Sequence, residues 1–126
     1  MRLTNEDVQP YRGGQMEIQN SGERYMYRGE IASIVVEGDE LRVRFAWLAK
    51  GEGFPPIPKK WVKYDDLDYA VSLMFYAASK GLGDEDTREE RIILNSSITG
   101  ELVVIFPPTG SKLDPRKVEG LELARP

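Results

Sequence analysis

The sequence predicts a mainly β fold, a small antiparallel barrel or strongly curled sheet carrying a short C-terminal helix. Three observations predict it. The stretch from Tyr25 to Leu48 alternates apolar and polar residues on either side of a tight polar turn, Glu37-Gly38-Asp39-Glu40, as two long strands of one hairpin do. A second, shorter hairpin follows at 91–106, turned by Ser97-Ile98-Thr99-Gly100. Gly29 interrupts the first long strand, which marks a bulge or bend of the kind that curls a small sheet. With 126 residues the chain is the size of one domain and long enough to bury a core unaided.

Residues 1–15 are polar and broken by Pro10, Gly13 and Gly14, and read as a flexible N-terminal arm ahead of a single β-rich domain at 16–126. Met16 to Gln19 is expected to add a short edge strand. In the main hairpin Tyr25, Tyr27, Ile31 and Val35, with Leu41, Val43, Phe45 and Trp47, form the expected inward face. Arg28, Glu30 and Ala32, with Arg42, Arg44 and Ala46, form the wet one. This long bent hairpin is similar to those of SH3-like and Tudor-like barrels, a likeness of architecture that carries no function.

The loop KGEGFPPIPKKW at 50–61 is rich in Gly, Pro and Lys. Its prolines favour an extended surface loop whose Phe54, Ile57 and Trp61 pack down, and Pro55-x-x-Pro58-x-Lys60 has the loose spacing of SH3-domain ligands. The stretch at 66–80 supports two readings. Asp65 as N-cap, Gly81 as terminator and Leu67, Ala70, Val71, Met74 and Ala78 on one face describe a helix, which would make the fold α+β. Tyr69, Leu73, Phe75 and Tyr76 would leave that helix apolar all round, whereas Val71, Leu73, Phe75 and Ala77 alternate as a strand does; a strand at 69–79 is the preferred reading. Residues 81–90 read as a charged loop, and Pro107 and Pro108 stop the second hairpin. Asp114 as N-cap, Pro115 at N1 and Gly120 as terminator predict a helix of one or two turns, after which Leu121 to Leu123 is placed as a closing strand.

The chain contains no Cys and no His. Disulfide scaffolds, thiolate nucleophiles, Cys or His zinc sites and imidazole acid–base catalysis are thereby excluded. An enzyme would have to use carboxylates, Lys, Tyr or Ser, with Mg²⁺ as the metal to expect; Asp65, Asp66 and Asp68 are the acid cluster that reading would need, and Asp84, Glu85 and Asp86 a second. Capping and solvation account for both clusters, and the expectation is a non-enzymatic module with no cofactor. Residues 1–64 carry ten basic and nine acidic side chains, net +1, and residues 65–126 seven and twelve, net −5. Neither part is the basic block that phosphate neutralisation asks for, so nucleic acid is not an expected partner, although Arg42, Arg44, Lys59, Lys60 and Lys63 could form a local patch. No apolar run reaches the roughly 20 residues of a membrane span, and the N-terminus lacks the apolar core of a secretory signal, which together suggest a cytoplasmic protein, monomeric or homodimeric.

The expected ligand is a protein or peptide, held where Arg28, Arg42 and Arg44 adjoin Trp61 and Tyr64 beside the Pro-rich loop. Aromatic side chains, Tyr25, Tyr27, Trp47, Phe54, Trp61, Tyr64, Tyr69, Phe75 and Tyr76 among them, supply both the core and the material for a cage or stacking platform. A nucleotide is the alternative ligand. Arg24-x-x-x-Arg28 and Asn95-x-Ser97-x-x-Gly100 resemble, in letters and order, the two signatures of PilZ domains, six-stranded barrels that bind cyclic di-GMP. That resemblance implies Arg24 and Arg28 embracing phosphates and guanine faces, with Asn95, Ser97 and Gly100 supplying turn hydrogen bonds. Here 66 residues separate the motifs, more than the family has. As plain hairpin-turn residues Asn95, Ser97 and Gly100 need no ligand.

Overall fold

The computed structural model describes residues 1–20, 22–53, 58, 60–82, 89–110 and 112–117. The chain is mainly β, as expected, and its strands join in one antiparallel eight-stranded sheet that does not close into a barrel. The elements are α1 (Asn5–Val8), β1 (Gln15–Asn20), β2 (Tyr25–Glu37), β3 (Glu40–Glu52), β4 (Lys60–Lys63), β5 (Asp68–Ser72), β6 (Ala77–Leu82), β7 (Glu90–Asn95) and β8 (Glu101–Phe106). Strand order is β4-β3-β2-β1-β8-β7-β6, with β5 also pairing β3. The 13-residue β3 is long enough to carry β4 against its last residues and β5 against its first.

The main hairpin forms as the alternation predicts, with Glu37 opposite Glu40 and Gly38 at φ 60, a value that favours glycine at the first position of a two-residue hairpin turn. The bend also lies where Gly29 suggests it. Register shifts set in just after Glu30, leaving Ala32 and Ala46 without partners across the ladder. A Cβ on Gly29 would lie 2.7 Å from Phe45 Cδ1 and from the Trp47 carbonyl, so the two strands meet closely there only because that side chain is absent.

The bulge corrects the expected inward face. Tyr27 and Ile31 pack inward, but beyond Ala32 the phase slips and Ile34 and Val36, not Val35, enter the core; beyond Ala46 Leu48 replaces Trp47. Trp47 is buried on the opposite face, against Ala49, with Ala46, Trp61 and Leu113 packed around it.

β1 is the second correction. It pairs β2 on one side and β8 on the other over all six residues, and so lies inside the sheet rather than at its edge. The third concerns the N-terminal arm. Leu3, Val8 and Tyr11 are at most 5% exposed and belong to the main core. Gly13 N–H donates to the Ile31 carbonyl, Ile31 N–H to that of Gly14, and Val36 N–H to Asn5 Oδ1, so this segment runs along the part of β2 that β1 does not reach. The polarity of the sequence is that of α1's outer side, where Thr4 and Asp7 close a capping box.

Residues 66–80 form neither a helix nor one strand. β5 and β6 are separated by a 3₁₀ turn, Leu73–Phe75, where the chain leaves β3 and crosses to β7. Strand pairing prevails because Tyr69 and Val71 fill the interior while Asp68 and Ala70 face out. Of the expected C-terminal helix, the described residues hold a 3₁₀ turn, Pro115–Lys117; 118–120 and the proposed closing strand at 121–123 lie outside the described residues.

The sheet is strongly curled. Tyr69 on β5 donates its hydroxyl to Glu101 on β8 at 2.8 Å, although four ladders separate the two strands, about 19 Å in a flat sheet. The curl gathers Met16, Ile18, Ile31, Phe45, Leu94, Val103 and Ile105 into one interior, which the N-terminal segment helps to fill. No helix among the described residues is long and apolar enough to cross a membrane.

Candidate functional site: a tyrosine-lined end of the sheet

Arg28, Arg42, Arg44, Trp61 and Tyr64 do not come together. Arg28 is buried: it donates to Glu17 Oε2 at 2.7 Å and to Gln15 Oε1 at 2.8 Å, and its guanidinium lies 4.0 Å from the centre of the Phe106 ring. Burial lowers its pKa from the usual arginine value, and the neighbouring Glu17 and Glu89 carboxylates oppose that shift. Arg42 and Arg44 are exposed and pair with Glu40 and Asp68. Trp61 packs with Trp47 on the outer face of the sheet, whereas Tyr64 reaches the inner side and meets Tyr27 edge-on at 5.1 Å.

The acid cluster at 65–68 is used locally. Asp66 accepts from the Asp68 backbone N–H and Asp68 accepts from Arg44, and among the described residues no three acidic side chains gather as metal ligands. Residues 84–86 lie outside the described residues, as do Phe54 to Ile57 and Lys59 of the Pro-rich loop.

The PilZ-like letters are split as well. The register sets Asn20 opposite Glu101 and Asn95 opposite Leu102, so the β1–β2 turn that holds Arg24 and the β7–β8 turn that holds Ser97 and Gly100 occupy the same end of the sheet. Arg24 has φ 55, a left-handed conformation uncommon outside glycine. Arg28 stays in its buried ion pair on the outer face and does not reach that end.

What does converge there is tyrosine. Tyr25 and Tyr27 are successive inward residues of β2 and meet edge-to-face at 5.2 Å. Tyr64 follows β4, and its N–H donates to the Leu48 carbonyl, which sets its ring against Tyr27. Tyr69 and Tyr76, flanking the 3₁₀ turn, both donate their hydroxyls to Glu101 Oε1. Five of the chain's six tyrosines thus lie at this end, and Lys50 adds its ammonium 4.0 Å from the Tyr25 ring centre.

Burial raises the pKa of Tyr27 to about 12, with Tyr64 and Glu23 adding to the shift. Burial raises Tyr76 to about 12 as well, with Glu101 accepting its hydrogen bond and repelling the phenolate, and Tyr69 moves up for the same reasons. The unfolded chain loses tyrosine protons near about pH 10. Between there and pH 12 the folded protein holds more protons than the unfolded one, so stability is full below about pH 10 and falls as pH rises through 12. Alkaline titration of phenolate absorbance should therefore show Tyr27, Tyr69 and Tyr76 ionising late and together with unfolding; these three titrating freely in the folded state would contradict this.

The cluster was partly visible in the sequence, where all five residues belong to the aromatic set. Glu101 was not. It reads as an ordinary strand residue; the curl of the sheet carries it to Tyr69, and the β6–β7–β8 pairing sets it near Tyr76.

Another concavity, of about 610 Å³, opens between α1, Lys80, Glu89, Glu90 and Pro107. Of its charges, Lys80 pairs with Asp7 at 3.7 Å and Glu89 with Arg91 at 2.8 Å.

The fold and this end define a mainly β protein with a curled antiparallel sheet, one end of which carries an aromatic cluster and a carboxylate. Compared with known proteins, the chain matches no family model, no curated protein and no solved structure.

Proposed function

We propose that the protein is a non-enzymatic binding module that holds a protein or peptide partner at its tyrosine-lined end. The observation that carries this reading is the edge-to-face gathering of Tyr25, Tyr27 and Tyr64 at the end of the sheet where Tyr69 and Tyr76 hold the Glu101 carboxylate. Tyrosine presents a large rigid face at low entropic cost and keeps a polar tip for water or a partner, which is why it is favoured at contact surfaces. The lack of Cys and His supports a binding role over catalysis.

Selection of peptides from a displayed random library tests it. Peptides enriched on the native protein should lose binding at least tenfold on Tyr25→Ala/Tyr64→Ala, two rim positions whose loss leaves the main core in place. Peptides that bind the substituted protein equally well would place the contact elsewhere and defeat the proposal.

A cyclic dinucleotide is the second reading. It is favoured by Arg24 and the Asn95–Gly100 turn lying at that same end, with tyrosine faces available for stacking. Calorimetry should then give heat that Arg24→Ala abolishes and Arg28→Lys does not. No heat at high protein concentration removes this reading.

A further inference from the structure

We infer that the group taken up at the tyrosine-lined end is an aliphatic ammonium, the side chain of a lysine or methylated lysine in the partner. This rests on the proposed binding role of that end and specifies its chemistry. Glu101 is the central observation. Its Oε1 accepts both the Tyr69 and Tyr76 hydroxyls, its Oε2 has no bond among the described residues, and no Lys or Arg nitrogen among them lies within ion-pair distance. Both donors on this half-buried carboxylate are neutral hydroxyls, so an incoming cation would meet no rival cation on it among the described residues.

The walls suit the same ligand. Asn20 stands between Tyr25 and Glu101 in one row of the ladder, so their backbones are two strand spacings apart, about 10 Å, with the side chains on one face. An ammonium entering between them meets the negative faces of tyrosine rings on one side and a carboxylate oxygen on the other. Lys50 already demonstrates the first contact within the chain, its ammonium lying over Tyr25. A carboxylate or phosphate ligand would instead face Glu101 with like charge. A purely apolar side chain would leave Oε2 covered and unpaired.

Tetramethylammonium chloride is the probe, with tert-butyl alcohol as the neutral isostere and sodium chloride as the ionic-strength control, followed by the tyrosine ring resonances in NMR. The ammonium should shift the Tyr25, Tyr27 and Tyr64 rings saturably, and tert-butyl alcohol should not. Glu101→Gln, which keeps an oxygen to accept the two hydroxyls, should weaken the effect about tenfold. Equal shifts with the alcohol, unchanged affinity in Glu101→Gln, or no saturable shift at all would overturn the inference.

The two proposals fail differently. Library peptides that need the rim tyrosines but bind equally well after lysine is replaced by norleucine would overturn the ammonium and leave the binding role standing. Tetramethylammonium binding that depends on Glu101, with no peptide ever selected, would support the ammonium chemistry and remove the peptide-binding role.

Discussion

A chain lacking residues 1–12 is expected to lose its cooperative unfolding transition. Those residues place Leu3, Val8 and Tyr11 in the main core, and burying each such side chain contributes about 1.5–3 kcal/mol. Their sum is comparable with the whole stability of a small domain, about 5–15 kcal/mol. The deletion also uncovers the end of β2, where Asn5 and Gln9 now bond the Val36 and Ile34 backbone, and leaves polar groups beside exposed apolar surface. Thermal melts followed by near-ultraviolet circular dichroism measure this directly. A truncated protein that melts as sharply and as high as the full chain would show that the segment is an appendage. A milder variant, Val8→Ala, should lower stability by about 1–3 kcal/mol with the transition still cooperative.

Arg28→Ala is expected to cost about 3–5 kcal/mol, because it strands Glu17 as a partly buried carboxylate without its cation. The two side chains are 8% and 15% exposed, and the guanidinium is also bonded to Gln15 and stacked on Phe106, so both charge and packing are lost. The double substitution Arg28→Met/Glu17→Leu should recover most of that loss, since an apolar pair of similar volume needs no solvation. Urea denaturation midpoints at constant slope give both numbers. If the double variant is as unstable as the single one, the pair is not what holds this part of the outer face. Arg42→Ala is the contrast, because Arg42 pairs with Glu40 in solvent, and its midpoint should stay where it is.

How much of the fold is legible in the sequence depends on the range over which each signal acts. Period-two alternation and turn residues are local, so both hairpins and the Gly38 and Gly100 turns could be read directly. The phase of a strand is local only until a bulge. Gly29 announced the bend, but whether one residue slips, and therefore whether Trp47 or Leu48 enters the core, depends on how two strands fit against each other. The N-terminal segment failed as a sequence reading for a related reason. Polar residues with a proline and two glycines look unstructured until β2 offers them an unpaired edge.

The candidate site divides in the same way. Tyr64 and the aromatic set were nameable as ligand-holding material, while Arg28, Arg42, Arg44 and Trp61 were grouped by nearness in sequence and by an alternation that puts them outside. The structure separates them because an outward arginine in the middle of a wide sheet can still be buried, here beside Phe106 with the backbone of Leu113 bonded to the neighbouring Gln15.

By itself the sequence determined the antiparallel β class, the two hairpins, the place of the bend, and the exclusion of thiol and imidazole chemistry, all of which depend on residue type and short spacing. Only the tertiary structure decided that β1 lies inside the sheet, that the sheet curls without closing, and that Tyr69 and Tyr76 meet Glu101. Those facts come from pairing and packing between residues 25 to 91 positions apart in the chain, whose energies depend on surfaces that do not exist until the sheet has formed.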